Sequence, residues 1–168
     1  MNSVWRLNEI SEMIQVIEAP ASFRRESALE LMRLADDSEQ EIREYLSRGR
    51  LFLLQDNKAS LIGQVLVLDR PHAPLEIKSV SILRRCQRQG LGGFLLREVL
   101  KTLKGEGIEY VTVATATADI GNIAFYQKIG FRCLRIDRDA FSPSTGYPQE
   151  LQSDGIRVRD KLWLDLHL

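Results

Sequence analysis

The order of elements along the chain, β-α-α-β-β-β-α-β-α-β-β, predicts an α/β fold with a mixed, mostly antiparallel sheet of about seven strands and helices on both faces. Two features of that order carry the reading. Hairpins in the middle of the chain place sequential strands side by side and antiparallel, whereas the strand–helix units that follow need crossovers and a parallel component. The length of 168 residues suits one hydrophobic core, so residues 1–168 are expected to form a single domain.

Met13-Ile-Gln-Val-Ile17 is a short apolar run closed by Ala19-Pro20 and predicts the first strand. Ala28, Leu29, Leu31, Met32 and Leu34 give a short amphipathic helix. Ser38 and Glu41 have the spacing of a capping box, Ile42, Tyr45 and Leu46 form the apolar stripe behind them, and Gly49 ends that helix. Leu51–Leu54 and Leu61–Leu68 flank Asp56-Asn-Lys58, the pattern of a hairpin. Leu75–Leu83 is the next strand. Its alternation slips by one between Ile77 and Val80, which a β-bulge would produce. Leu91, Leu95, Val99 and Leu103 stripe a helix after the glycines at 90, 92 and 93, and Tyr110–Ala114 is a strand. Asp119–Ile129 follows as a helix with Gly130 as its C-cap, and two last strands are expected at Phe131–Ile136 and Ile156–Leu166, joined by a polar loop.

Composition is that of an ordinary globular protein, 44% hydrophobic and 27% charged. Lys+Arg and Asp+Glu both number 23, so a general affinity for nucleic acid or an anionic membrane has no support. No apolar run approaches the length of a membrane span, and Met1–Ile10 lacks the apolar core of a signal peptide, which leaves a cytoplasmic location by default. Cys86 and Cys133 have no metal-ligand spacing and read as small buried packing residues, and no metal site is expected.

Chemistry concentrates in Gln87-Arg-Gln-Gly90-Leu-Gly92-Gly93, a loop that leaves a strand and opens a helix. The first turn of a helix has N–H groups without intrahelical partners, and its dipole favours negative charge. Glycines let a diphosphate approach the backbone, and Arg84, Arg85 and Arg88 add positive charge at the rim. A nucleotide P-loop would need Lys-Ser/Thr where Gly93-Phe94 stands, and the dinucleotide fingerprint would need a small residue where Leu95 stands.

The loop instead resembles the coenzyme A loop of the GNAT acetyltransferase superfamily, Gln/Arg-x-x-Gly-x-Gly/Ala, through Gln87, Gly90 and Gly92. The likeness continues upstream in Val80-Ser81-Ile82, similar to the strand that pairs with the pantetheine arm. Downstream, Asn122-Ile-Ala-Phe-Tyr126 with Gly130-Phe131 resembles the family's Asn–Tyr–Gly-Phe signature. The resemblance implies acetyl-CoA as co-substrate, held by Val80, Ser81, Ile82, Gln87, Arg88, Gln89, Gly90, Leu91, Gly92, Gly93 and Asn122. It implies Tyr126 as the acid that protonates departing CoA, and Glu76, fourteen residues before Gly90, as the base that accepts the amine's proton. Other readings of the same residues stay open: Tyr126 as core packing beside Ile123 and Ile129, Glu76 as a carboxylate paired with Lys78 or Arg70, His72 as a surface turn residue. The acidic run Asp36–Glu41 is read as the charge of a helix N-terminus, with attraction of a cationic acceptor as the other reading.

The expected activity is direct transfer of an acetyl group from acetyl-CoA to a primary amine in a ternary complex, without a metal. The alternatives are a non-catalytic acyl-CoA-binding regulatory module and an acyltransferase for longer acyl-CoAs. A homodimer is compatible with this reading; nucleic acid and membrane are not expected partners.

Overall fold

Local signals fix the turns between the early strands. The Asp56 carboxylate accepts from the N–H of Lys58 at 2.9 Å and of Ser60 at 2.8 Å, closing the hairpin that joins β2 (Arg50–Asp56) to β3 (Leu61–Arg70). A tight turn with His72 at φ +60° joins β3 to β4 (Ala73–Ile82), and His72 is exposed there. The computed structural model describes residues 14–168; Met13 and the segment Met1–Ile10 lie outside them. Strands β1 (Ile14–Glu18), β5 (Tyr110–Ala116), β6 (Arg132–Asp137) and β9 (Lys161–His167) complete a seven-stranded sheet in the order β1-β2-β3-β4-β5-β9-β6. Only β4 and β5 pair in parallel.

Four α-helices cover the sheet among the described residues: α1 (Leu29–Met32), α2 (Glu39–Leu46), α3 (Leu91–Gly105) and α4 (Ile120–Ile129). Alternate residues of β2 and β3 serve opposite faces. Phe52, Leu54, Val65 and Val67 join the stripe Leu91, Leu95, Val99 and Leu103 of α3. Leu51, Leu53, Leu66 and Leu68 pack with Ala28, Met32, Ile42 and Tyr45 on the other side. Burial on both faces explains why these strands read as unbroken apolar runs.

Three expectations need correction. Cys86 is only partly buried, and Cys133 is exposed because it stands on β6, the edge strand of the sheet. The amphipathic segment from Ala28 to Leu34 is a 3-10 turn, Arg25–Ala28, leading into the single turn of α1. The last strand is shorter than the span 156–166, because Ile156–Arg157 (β8) pairs with Gln152–Ser153 (β7) in a separate hairpin. Asp154 and Gly155 turn that hairpin with φ of +49° and +78°, the left-handed pair that a tight two-residue turn requires.

The phase slip in β4 is a bulge. Ile77 lies opposite Val67 and Ser79 opposite Leu66, so Lys78 is the extra residue. The parallel pairing of β4 with β5 covers only Leu75–Ile77 against Val111–Val113. Beyond it β4 carries no ladder partner on its β5 side, and Lys78 to Ile82 line a cleft there.

Candidate active site

A cleft of about 810 Å³ opens where β4 and β5 part, bounded by the N-terminal ends of α3 and α4 and by the segment after β6. Of the residues singled out from sequence, Glu76, Val80, Ser81, Ile82, Gln87, Arg88, Gly90, Leu91, Gly92, Gly93, Asn122 and Tyr126 all line it. Gln89 does not: its amide turns back to the Arg85 carbonyl at 3.4 Å.

At one end the backbone forms an anion cradle. Gly90 is the N-cap of α3 at φ +81° and supplies no side-chain cap, and the first intrahelical bond runs from Phe94 N–H to the Gly90 carbonyl at 3.0 Å. The N–H groups of Leu91, Gly92 and Gly93 therefore stand without intrahelical partners. The Leu91 side chain is 6% exposed and packs into the core, so what it offers a ligand is its backbone. A Cβ on Gly92 would stand 3.5 Å from Phe125 and 3.6 Å from Ile82, within the cleft wall. The Gln87 amide donates to the Ile82 carbonyl at 2.8 Å and so ties the loop to the end of β4. Arg88 lines the cleft here and Arg97 lies beside Gly93, a positive rim, whereas Arg84 and Arg85 do not line the cleft. Asn122 is bound to the helix cap: its amide donates to Asp119 Oδ2 at 2.7 Å, and its N–H to Asp119 Oδ1 at 3.0 Å.

Beneath Ser79 and Ser81 lies a buried polar contact. Gln64, fully buried in β3, donates through Nε2 to Ser79 Oγ at 2.6 Å and Ser81 Oγ at 3.2 Å. Both serine oxygens thus accept from the sheet side, which frees their own hydroxyl protons for other acceptors.

Tyr126 is 7% exposed and sits between Phe125 and Phe131, with ring centroids 5.1 and 5.7 Å away. Burial, with the charge of Asp119, pushes its hydroxyl well above the usual tyrosine range, so it stays protonated. Glu76 is 7% exposed and accepts from Arg70 Nη1 at 3.2 Å, whereas Lys78 turns to Glu41 Oε2, also at 3.2 Å. That bond takes the Glu41 side chain out of its expected capping role, although Ser38 Oγ still accepts from the Glu41 N–H at 3.2 Å.

Asp36 and Tyr147 also line the cleft and were not singled out. Asp36 was visible only as part of an acidic run, and Tyr147 stands in a segment without periodicity. The Tyr147 hydroxyl donates to Asp36 Oδ1 at 3.2 Å across 111 positions of sequence, a contact no local pattern announces. Among the described residues, no group of three or more His, Cys, Asp or Glu is placed to hold a metal.

Comparison with known proteins agrees with this geometry. The model of the Acetyltransferase (GNAT) family matches residues 14–131. An uncharacterized N-acetyltransferase of Bacillus subtilis (strain 168), YvbK, is 31% identical over 139 residues, covering 82% of this chain and 88% of its own. A GNAT family acetyltransferase from Elizabethkingia anophelis with acetyl-CoA bound superposes with a TM-score of 0.83 at 29% identity, over 94% of this chain and 99% of its own. A Bacillus subtilis acetyltransferase in complex with CoA superposes with a TM-score of 0.81 at 26% identity, over 92% and 99%. The loop, the parted strands and these likenesses converge, and the chain belongs to the acetyltransferase (GNAT) family.

Proposed function

We propose that this protein is an acetyl-CoA-dependent N-acetyltransferase acting on a primary amine by direct transfer. One observation carries the reading: a single cleft holds an uncapped, glycine-lined helix start with a basic rim together with a buried tyrosine and a buried carboxylate. The residues present fit the cofactor. The N–H groups of Leu91 to Gly93 and the side chains of Arg88 and Arg97 suit a diphosphate, and the unpaired edge of β4 from Ser79 suits an extended amide-bearing arm. When bound, acetyl-CoA supplies an acetyl group activated as a thioester.

The chain's own residues manage protons. An ammonium has no lone pair, so the acceptor nitrogen must lose a proton, and the Glu76 carboxylate takes it directly or through water. The unpaired N–H groups of β4 stabilise negative charge developing on the acetyl oxygen. The Tyr126 hydroxyl, held protonated by burial, donates to the departing sulfur. A non-catalytic binding module would need the cradle and neither Glu76 nor Tyr126.

The test is release of free CoA and formation of acetylated amine, detected by mass spectrometry, across a panel of amines. Tyr126→Phe keeps the ring packing and is expected to lower kcat by roughly 10–1000-fold with acetyl-CoA affinity retained. Unchanged kcat would reduce Tyr126 to packing, and no CoA release with any amine would favour the binding module.

A further inference from the structure

The cleft lining away from the cradle contains a carboxylate that forms no ion pair. Glu76 has Arg70 and Glu41 has Lys78 as ion partners. Asp36, in the loop between α1 and α2, has neither. Its Oδ1 accepts from the Ser38 N–H at 2.9 Å and the Tyr147 hydroxyl at 3.2 Å. Among the described residues, no Lys or Arg nitrogen lies within 4.0 Å of it. Burying a carboxylate is costly, and here burial raises the Asp36 carboxyl above its usual range, although the Ser38 N–H bond and the more distant charge of Lys78 oppose it. Beside it, the buried Tyr45 hydroxyl makes no well-formed hydrogen bond, with the Ser79 side chain and the charge of Asp36 close by. The unused Asp36 Oδ2, with the Tyr147 hydroxyl oxygen beside it in the cleft lining, matches the donors of an ammonium group. Leu34, Leu151 and Phe141 line the cleft around them and suit a methylene chain.

Resting on the acetyltransferase reading, we propose that the acceptor carries a second cationic centre besides the reacting amine, docked on Asp36 against Tyr147. The substrates are then aliphatic diamines and longer polyamines rather than monoamines. The nearest competing chemistry is an acceptor with a carboxylate, which would use Lys161, whose Nζ stands 5.4 Å over the Phe141 ring at the cleft wall.

The experiment compares three acceptors of equal length, 1,5-diaminopentane, pentylamine and 5-aminopentanoate. It measures kcat and KM for each, and each amine's binding to CoA-loaded protein by calorimetry. The wild type is expected to prefer the diamine by about tenfold or more, the size of one charge-assisted contact. Asp36→Asn keeps an oxygen for Ser38 and Tyr147 but loses the charge, and it is expected to erase the preference through KM. Tyr147→Phe removes the hydroxyl but leaves the charge, so the preference should survive. Equal use of diamine and pentylamine, preference for 5-aminopentanoate, or an Asp36→Asn loss equal for all three acceptors would overturn the proposal. Absence of acetyl-CoA binding would instead overturn the acetyltransferase reading on which it rests.

Discussion

At the scale of single residues, Glu76 is the proposed base for the acceptor's proton. The carboxylate is buried to 7% exposure, while its partner Arg70 keeps 44% of its side chain in solvent and lies 5.3 Å from the Trp163 ring. Losing the pair would therefore leave Arg70 hydrated, with a small cost in stability. Glu76→Gln preserves size and removes the base. It is expected to lower kcat by roughly 10–100-fold near neutral pH, with the deficit shrinking at high pH as free amine accumulates. A fall in melting temperature with normal turnover would show instead that Glu76 is structural and that water takes the proton.

At the scale of elements, one arginine links three of them. Arg50 of β2 bonds Glu18 of β1 at 2.7 and 2.8 Å and also bonds Glu106, the C-cap of α3. These bonds hold both carboxyls below their ordinary value of 4.5. A depressed carboxyl stabilises the fold above its unfolded value and loses that effect as pH falls through its folded value. Arg50→Ala should lower the melting temperature by a few degrees near pH 7, and the difference from wild type should narrow below about pH 4. A residual gap is expected at low pH, because Arg50 also lies 5.1 Å from the Phe52 ring. A gap that does not change with pH would contradict the ion-pair origin.

Legibility from sequence also divides by element. Helix α3 announced itself through period and glycines, and the bulge in β4 through a slipped alternation, because both patterns are local. The final strand did not: Ile156 and Arg157 have strand composition, and only the Asp154-Gly155 turn commits them to a hairpin with Gln152–Ser153. The site split the same way. Glu76, Tyr126 and the loop followed from spacing and resemblance, whereas the Asp36–Tyr147 contact and the Gln64–Ser79 contact join distant strands and loops whose meeting only the fold decides.

At the scale of the whole molecule, the sheet, the bulge and the crossover helix act together. The pairing of β4 with β5 ends at Ile77, next to the bulge at Lys78, and α3 brings its uncapped N-terminus to the gap. Calorimetric titration of acetyl-CoA into the wild type and into Gly92→Asp tests this arrangement most directly. An aspartate there adds bulk and negative charge in the cleft wall beside the unpaired N–H groups, while a melting curve checks that the variant folds. The expected result is saturable one-to-one binding to the wild type, a rise in its melting temperature with ligand, and affinity weakened at least about tenfold in the variant. Equal affinity in a folded variant, or no binding heat and no thermal shift in the wild type, would contradict a coenzyme A site in this cleft.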